Sequence, residues 1–486
     1  MNIRLKNIGI VKDSTIKLDG LTIVTGKNNS GKTTVGKSLY SLIDAVNNLT
    51  NKAKADTNYY IYEQIDRLFD TMRLFRYIRP YYKDKFGLLF KDYPAFLALV
   101  QRDYRRMRDG EEYARALMHE LESFDISMLN SVNPDVVERY TYASALGKKE
   151  ITDSKDLLSE QIEKSIRILQ QMFLDIGKDP ELVSYARESI NQTLNMEFSS
   201  QVQPINGCDG PSEIELTEDG AVSFKIQIEN NRVVNDGTPV YFGSQFKRVF
   251  LIDDPFILDG SPSSYYRPRY TEAAEIEYES VLNPNRILSH ANRLKSVLHK
   301  PAVQTVLEQT LSSDSIASVK AHMDEIIPGT FVFSSNGDFY VQNGKKLSVA
   351  NLATGSKMFS IVKLLLEKGE LDNTTMLILD EPEAHLHPMW QNSFAEIIVL
   401  LVKELGVNIL LTTHSPNFVL ALDAFMRKHE IQEKTNFYQT TSIDNLFVEY
   451  SCVNDDISSI YADFLQYLSD VKVLRDKYLM NGENEE

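Results

Sequence analysis

Residues Gly26-Lys27-Asn28-Asn29-Ser30-Gly31-Lys32-Thr33 fit the pattern G-x4-G-K-[ST], and no other feature of this chain restricts its fold so tightly. The pattern has mechanical meaning only between a strand and a helix. Both are legible: Leu21 to Val24 is an apolar run entering the loop, and Val35, Leu39, Leu42 and Ile43 take helical spacing behind it. Glycines at such a loop let the backbone turn tightly, so that N–H groups from Gly26 through Asn28, Asn29, Ser30 and Gly31 to Thr34 point at phosphate oxygens. The following helix adds its positive N-terminal end. Lys32 is expected to bridge phosphate oxygens and Thr33 to give its hydroxyl to a magnesium ion.

Three further segments share this chemistry. Thr375-Met-Leu-Ile-Leu-Asp-Glu381 is an apolar run ending in two acids, the pattern of a buried central strand that delivers carboxylates to its C-terminal edge. Asp380 is expected to reach the metal through its water shell, and Glu381, facing the other way, to polarise an attacking water as general base. Ile409 to Thr413 is a second buried strand, ending at His414, which is placed to hold that water beside Glu381. Asn351 to Lys357 opens a helix with an apolar face of Met358, Ile361, Val362 and Leu365, closed by Gly369. Its small-residue start, Thr354-Gly355-Ser356, makes a second anion site. Within one chain that site is redundant, so it is expected to serve a nucleotide held by another copy.

Composition excludes several classes. Hydrophobic content of 43% and charged content of 25% describe an ordinary globular chain. No apolar run reaches the ~18 residues of a membrane span, and Met1 to Gly9 lacks the apolar core of a signal peptide. Cys208 and Cys452 fit neither a disulfide framework nor a zinc pattern and read as free thiols, giving a cytoplasmic expectation. The net charge of −16 opposes indiscriminate binding to nucleic acid. Between Arg73 and Arg108, however, ten basic residues face three acids, a local +7 interleaved with Phe75, Tyr77, Tyr81, Tyr82, Tyr93 and Tyr104. Such a segment suits a nucleic-acid strand, a protein contact or a solvated face.

The order of these motifs, with Leu379-Asp-Glu-Pro-Glu-Ala-His-Leu-His-Pro388 and Thr412-Thr-His-Ser-Pro416, resembles the ABC ATPases of the RecF, SMC and OLD group. It is most similar to OLD-like ATPases of bacterial anti-phage defence, such as the ATPase subunit of the Septu system. The resemblance implies ATP and Mg2+ as ligands, and a homodimer or higher homo-oligomer in which the signature helix of one head caps the ATP of another. It also implies an effector protein, nuclease or toxin, from a neighbouring gene. The family signature usually has serine after the leucine and an acid or glutamine after the glycine; here Ala353 and Ser356 stand there, leaving Thr354 or Ser356 to supply the hydroxyl. Only 72 residues follow His414, too few for the Toprim nuclease of OLD proteins proper. A mid-chain residue that senses the nucleotide is sought in Gln245 or Asp253. His385 and His387 fall in a loop where the related ATPases make dimer contacts.

The expected fold is α/β: an ABC-type ATPase head with a mostly parallel central sheet, an antiparallel β lobe and a large helical insertion. Residues 1–50 and 330–486 are assigned to the head, 51–200 to the insertion, 201–260 to the β lobe and 261–329 to a helical segment. Within the helical part, Ile61, Ile65, Leu68 and Met72 form one stripe, and Leu158, Ile162, Ile166, Leu169 and Phe173 another. Hairpins are expected around Asp219-Gly220, followed by the alternating Val222, Phe224, Ile226 and Ile228, and around Asn336-Gly337. Three functions suit the chain: an ATP-hydrolysing enzyme that gates an effector, a nucleotide-sensing scaffold with negligible turnover, and a RecF-like DNA-repair ATPase.

Overall fold

Alternation in the first seventeen residues produces a hairpin, β1 (Asn2–Ile8) and β2 (Val11–Lys17). Ile3, Leu5, Ile8, Val11 and Ile16 are buried while Arg4, Lys12 and Lys17 remain in solvent. The computed structural model describes residues 1–47, 49–71, 110–123, 154–177, 182–218, 221–234, 245–259, 289–299, 314–334, 337–444 and 446–482.

The strands continue as β3 (Leu21–Thr25), β4 (Ser212–Glu218), β5 (Ala221–Glu229), β6 (Arg232–Val233) and β7 (Arg248–Ile252). Next come β8 (Thr330–Ser334), β9 (Gly337–Gln342) and β10 (Lys345–Ser348). The last are β11 (Thr375–Asp380), β12 (Asn408–Thr413), β13 (Thr435–Ile443) and β14 (Phe447–Cys452). Eleven of them form one sheet in the order β6–β5–β4–β1–β2–β14–β13–β3–β12–β11–β7. From β13 to β7 all neighbours are parallel, and from β6 to β2 all are antiparallel. All five residues of β3 are buried, as a strand covered on both faces requires.

The fold class is the expected one, with one difference in construction. The parallel part and the antiparallel lobe are a single sheet, joined by β14, which pairs antiparallel with β13 and touches β2 at Val448–Val11. The expected hairpin near 336 instead builds a separate three-stranded sheet, β10–β9–β8. Segment 201–260 divides: β4 to β6 enter the antiparallel lobe, whereas β7 forms the outer strand of the parallel part. Val222 also departs from the alternation read in the sequence. Leu216 pairs with Phe224 and Thr217 with Val222, so Ser223 is an extra residue on β5. This bulge turns Val222 to solvent, 56% exposed, while Phe224, Ile226 and Ile228 stay buried.

The helices are α1 (Lys32–Val46), α2 (Leu49–Thr71), α3 (Gly110–Glu122), α4 (Ser154–Ile176) and α5 (Leu182–Glu197). They continue as α6 (His290–His299), α7 (Asp314–Ile326), α8 (Thr354–Glu367), α9 (Pro388–Leu405), α10 (Pro416–Lys428) and α11 (Ser458–Gly482). The chain divides into two units. The first holds Met1–Asn47, Val183–Arg267 and Ile287–Glu486; the second holds Asn48–Leu182 and Pro268–Arg286. In the second, α2, α3 and α4 bury Ile61, Ile65, Leu68, Leu117, Leu121, Ile162 and Leu169. Met72 lies outside the described residues.

The core of the first unit packs α8, α9 and α10 beside the parallel strands. Phe359 meets Phe394 edge-on with ring centroids 4.8 Å apart, and Phe394 stacks on Phe418 at 6.4 Å. Residues 355–366 of α8 are all buried, two lysines among them. Lys363 reaches Asp324 at 2.5 Å and the carbonyls of Ile327 and Gly329 at 2.6 and 2.9 Å. Buried ammonium groups persist only when so partnered.

Candidate functional site

The C-terminal ends of β3, β11, β12 and β7 lie along one edge of the parallel strands, because these strands run in the same direction and nearly in register. Ligand sites in open α/β sheets form at such edges. The loop from Gly26 to Gly31 leaves β3 there. Gly26 has neighbours that exclude any larger residue: an added Cβ would stand 1.8 Å from Thr440 Oγ1 and 2.7 Å from Ser30 Oγ. Gly31 precedes α1 with φ of 75°, in the left-handed region glycine adopts freely. Its carbonyl accepts a 2.7 Å hydrogen bond from the Tyr450 hydroxyl of β14. Asn29 also has positive φ, 58°. The Ser30 hydroxyl is buried and has no hydrogen-bond partner among the described residues. Thr34, in the first turn of α1, has its side chain against Gly9.

Lys32, 4% exposed, donates to the carbonyls of Gly26 and Lys27 at 3.0 and 2.7 Å and pairs with Glu381 at 3.2 Å. The second oxygen of Glu381 lies 3.1 Å from His414 Nδ1. One carboxylate thus joins the lysine of the loop to the histidine of β12's end. Glu381 itself has φ of 47°, a conformation costing a non-glycine residue ~1 kcal/mol or more. Its N–H is anchored to the carbonyl and hydroxyl of Thr412, both at 3.1 Å.

Asp380 accepts from Thr33 Oγ1 at 2.7 Å and from the Thr412 hydroxyl. Burial raises the Asp380 carboxyl above the usual range, with the charges of Glu381 and Asp253 adding to it, while the two hydroxyl bonds pull the other way. Hydroxyl and carboxylate oxygens are hard donors suited to magnesium, which leaves most of its shell to water and phosphate. No group of three His, Cys, Asp or Glu side chains among the described residues is arranged to hold a metal by itself. His387 caps α9, its Nδ1 accepting from Met389 N at 3.3 Å, and His385 lies edge-on to Phe256.

The start of α8 is held by different neighbours. A Cβ on Gly355 would stand 3.0 Å from Leu386 and 3.1 Å from the His385 carbonyl. Ser356 is buried and its carbonyl accepts from Ser360 Oγ at 2.6 Å, while Thr354 is partly exposed and Ala353, the residue before the helix, makes no side-chain cap. Lys357 is buried against Asp259 at 2.5 Å, over the Phe256 ring.

Of the two mid-chain candidates, Gln245 precedes β7, at the opposite edge of the sheet, whereas Asp253 follows β7 beside Asp380. Asp253 Oδ1 is 2.9 Å from His290 Nε2, and His290 Nδ1 is 2.5 Å from Glu197 Oε2. Burial pushes the His290 pKa down, but hydrogen bonds and charges from Asp253 and Glu197 prevail and raise it to about 9. Burial would raise the Asp253 carboxyl; the His290 bond and charge, with Lys37 nearby, bring it below its usual value.

Sequence reasoning missed Thr412, Glu383, Tyr450, Glu197 and His290. Thr412 and Glu383 lie inside motifs it quoted, so spacing flagged their neighbourhood. Nothing local marks the other three. Segment 73–108 lies outside the described residues. No helix among the described residues is long and apolar enough to cross a membrane.

The chain matches the AAA ATPase domain family over residues 1–207 and 270–419, a span that includes the glycine loop, the acidic strand end and His414. This chain belongs to that family. No curated protein matches it. Among solved structures it is similar to the SMC head domain from Thermotoga maritima, with 10% identity and a TM-score of 0.34 over 93% of this chain and 98% of the other. An Smc head domain with an extended coiled coil, bound to the C-terminal domain of ScpA, from Pyrococcus furiosus, gives 9% and 0.30 over 97% and 98%. An Smc head domain with a coiled coil and joint from Pyrococcus yayanosii gives 10% and 0.32 over 97% and 99%. Likeness at this level says nothing of this chain's partners. In this member of the AAA ATPase family, the glycine loop, Asp380, Glu381 and His414 are grouped at one sheet edge.

Proposed function

We propose that this chain binds ATP with Mg2+ at the edge formed by β3, β7, β11 and β12 and hydrolyses it. The observation that carries the reading is the Glu381 carboxylate held between Lys32 and His414, at 3.2 and 3.1 Å. An ammonium and an imidazole from distant parts of the chain meet at one carboxylate, beside a loop whose buried Ser30 hydroxyl has no partner among the described residues.

The roles follow from the groups themselves. The loop N–H groups and the N-terminus of α1 bind phosphate oxygens, and Lys32 balances their charge. Thr33 Oγ1 and the Asp380 carboxylate would hold magnesium. When bound there, such an ion would supply neutralisation of phosphate charge. Glu381 accepts the proton of the attacking water at its carboxylate, and its left-handed backbone aims that group away from Asp380. The His414 imidazole, 41% exposed, steadies the carboxylate through Nδ1. Thr354, Gly355 and Ser356 serve the nucleotide of a second copy, so that ATP closes two heads and hydrolysis releases them, gating an effector protein in anti-phage defence of the OLD-like kind. The motif at 379–388 supports this assignment by resemblance.

A second reading, a nucleotide sensor with negligible turnover, draws support from Ala353, which gives the signature helix no side-chain cap. Single-turnover hydrolysis separates the two. On the enzyme reading, Glu381→Gln slows the step by roughly 10^2–10^4-fold and accumulates as an ATP-bound dimer, while Lys32→Ala loses nucleotide binding. Wild-type protein that hydrolyses ATP no faster than Glu381→Gln refutes the enzyme reading and leaves the sensor.

A further inference from the structure

β7 and β11 are parallel and paired through Ile252 and Leu379, so Asp253, which follows β7, comes next beside Asp380, the last residue of β11. Residues in register on parallel strands present their side chains to the same face, and the Asp253 charge bears on Asp380. Asp380 is occupied by Thr33 and Thr412. Asp253 is held from behind.

Its support is a chain of three ionisable groups. His290 Nε2 meets Asp253 Oδ1 at 2.9 Å, Nδ1 meets Glu197 Oε2 at 2.5 Å, and Glu197 Oε1 accepts the His290 backbone N–H at 2.9 Å. Glu197 is 2% exposed and the His290 side chain 12%. Tyr40 of α1 packs edge-on to the imidazole at 5.9 Å. With an acceptor at each ring nitrogen and a wall beside it, the imidazole has one orientation. The members come from α5, α6 and the end of β7, separated by 93 and 37 residues. Apolar residues would fill the same space at lower desolvation cost. A charged chain retained there has a use at its open end, and the open end is the Asp253 carboxylate.

The geometry points to His290 as a positioning residue that, anchored by Glu197, fixes the Asp253 carboxylate at the cation edge of the nucleotide site. This rests on the magnesium–nucleotide reading above. Asp253 would then meet the water shell of a bound magnesium, and His290 stands to it as outer partners stand to metal-ligating groups elsewhere.

The test is the Mg2+ dependence of binding of a fluorescent ATP analogue to the full chain, measured against the same binding in EDTA. Asp253→Asn and His290→Gln should each raise the half-saturating Mg2+ concentration about tenfold, leave metal-free binding within twofold, and add nothing to one another when combined. His290→Gln/Glu197→Gln, which leaves no buried charge behind, should match His290→Gln and covers the case in which a single variant folds poorly. An unchanged Mg2+ requirement in His290→Gln, additive shifts in the double variant, or equal losses with and without Mg2+ would overturn the proposal. Wild-type protein that binds no nucleotide, or binds it indifferently to Mg2+, would instead sink the site reading itself.

Discussion

Glu383 offers a test in which stability and chemistry should respond differently. It lies two residues beyond Glu381 and is 2% exposed. Its Oε1 accepts from the Thr413 hydroxyl and, at 3.3 Å, from the His414 N–H, while Thr413 Oγ1 accepts from Ser415 N at 3.0 Å. One buried carboxyl therefore ties down the turn that presents His414 to Glu381. Glu383→Ala leaves two donors without an acceptor, at ~1–3 kcal/mol each where water cannot replace it. We expect a loss of about 2–4 kcal/mol in stability and roughly tenfold slower single-turnover hydrolysis, equivalent to ~1.4 kcal/mol of lost His414 alignment. Glu383→Gln keeps the acceptor oxygen and should retain activity within about threefold, ~0.7 kcal/mol.

Burial raises the Glu383 carboxyl above its ordinary value of 4.5, and the Thr413 bond opposes the shift without cancelling it. The sign follows by linkage. Below 4.5 both folded and unfolded chains hold the proton, and ionisation costs the fold nothing. As pH rises through the window between 4.5 and the raised folded value, the unfolded chain gives up the proton more readily, and stability is lost. Glu383→Gln removes that loss, so it should be more stable than the wild type at pH 8, with the difference vanishing near pH 4. Denaturant unfolding across that range measures it. A stability difference that is flat with pH, or a Glu383→Ala protein that hydrolyses at the wild-type rate, would refute this reasoning.

Other substitutions probe the frame around the site. Gly26→Ala should abolish tight nucleotide binding or cost ~1–3 kcal/mol by overpacking, since its Cβ collides with Thr440; adding Thr440→Gly should restore part of the binding, read by titration with a fluorescent nucleotide. Lys363→Ala breaks a buried pair, a change that costs about 3–5 kcal/mol. With Asp324 45% exposed and able to rehydrate, we expect about 3 kcal/mol by denaturant unfolding, and less for Lys363→Met. Tyr450→Phe removes the hydroxyl bond to Gly31 and should weaken nucleotide affinity about fivefold, ~1 kcal/mol, with little change in melting temperature.

The site was legible where its chemistry is local. A glycine loop between an apolar run and a helical stripe, two acids at the end of a buried strand and a histidine at the end of another are patterns written in consecutive residues. The helices α2 and α4 were legible from their apolar stripes. Val222 was misread because one extra residue on β5 reverses which face its neighbours present, and no local pattern marks a bulge. The separation of the β8–β10 sheet from the antiparallel lobe was also invisible, since hairpins declare their own turns and not their outer neighbours.

By itself the sequence singled out Lys32, Thr33, Asp380, Glu381 and His414, each by its place at the end of an element, as the groups proposed here for phosphate chemistry. Only the tertiary structure decided what holds them. β13 sets Thr440 against Gly26, β14 lends Tyr450 to Gly31, and α5 and α6 meet at Asp253 through His290. The physical reason is range. Backbone conformation and burial pattern are set by neighbours a few residues apart, whereas a hydrogen bond across 419 residues between Tyr450 and Gly31 exists only after the sheet has ordered its strands.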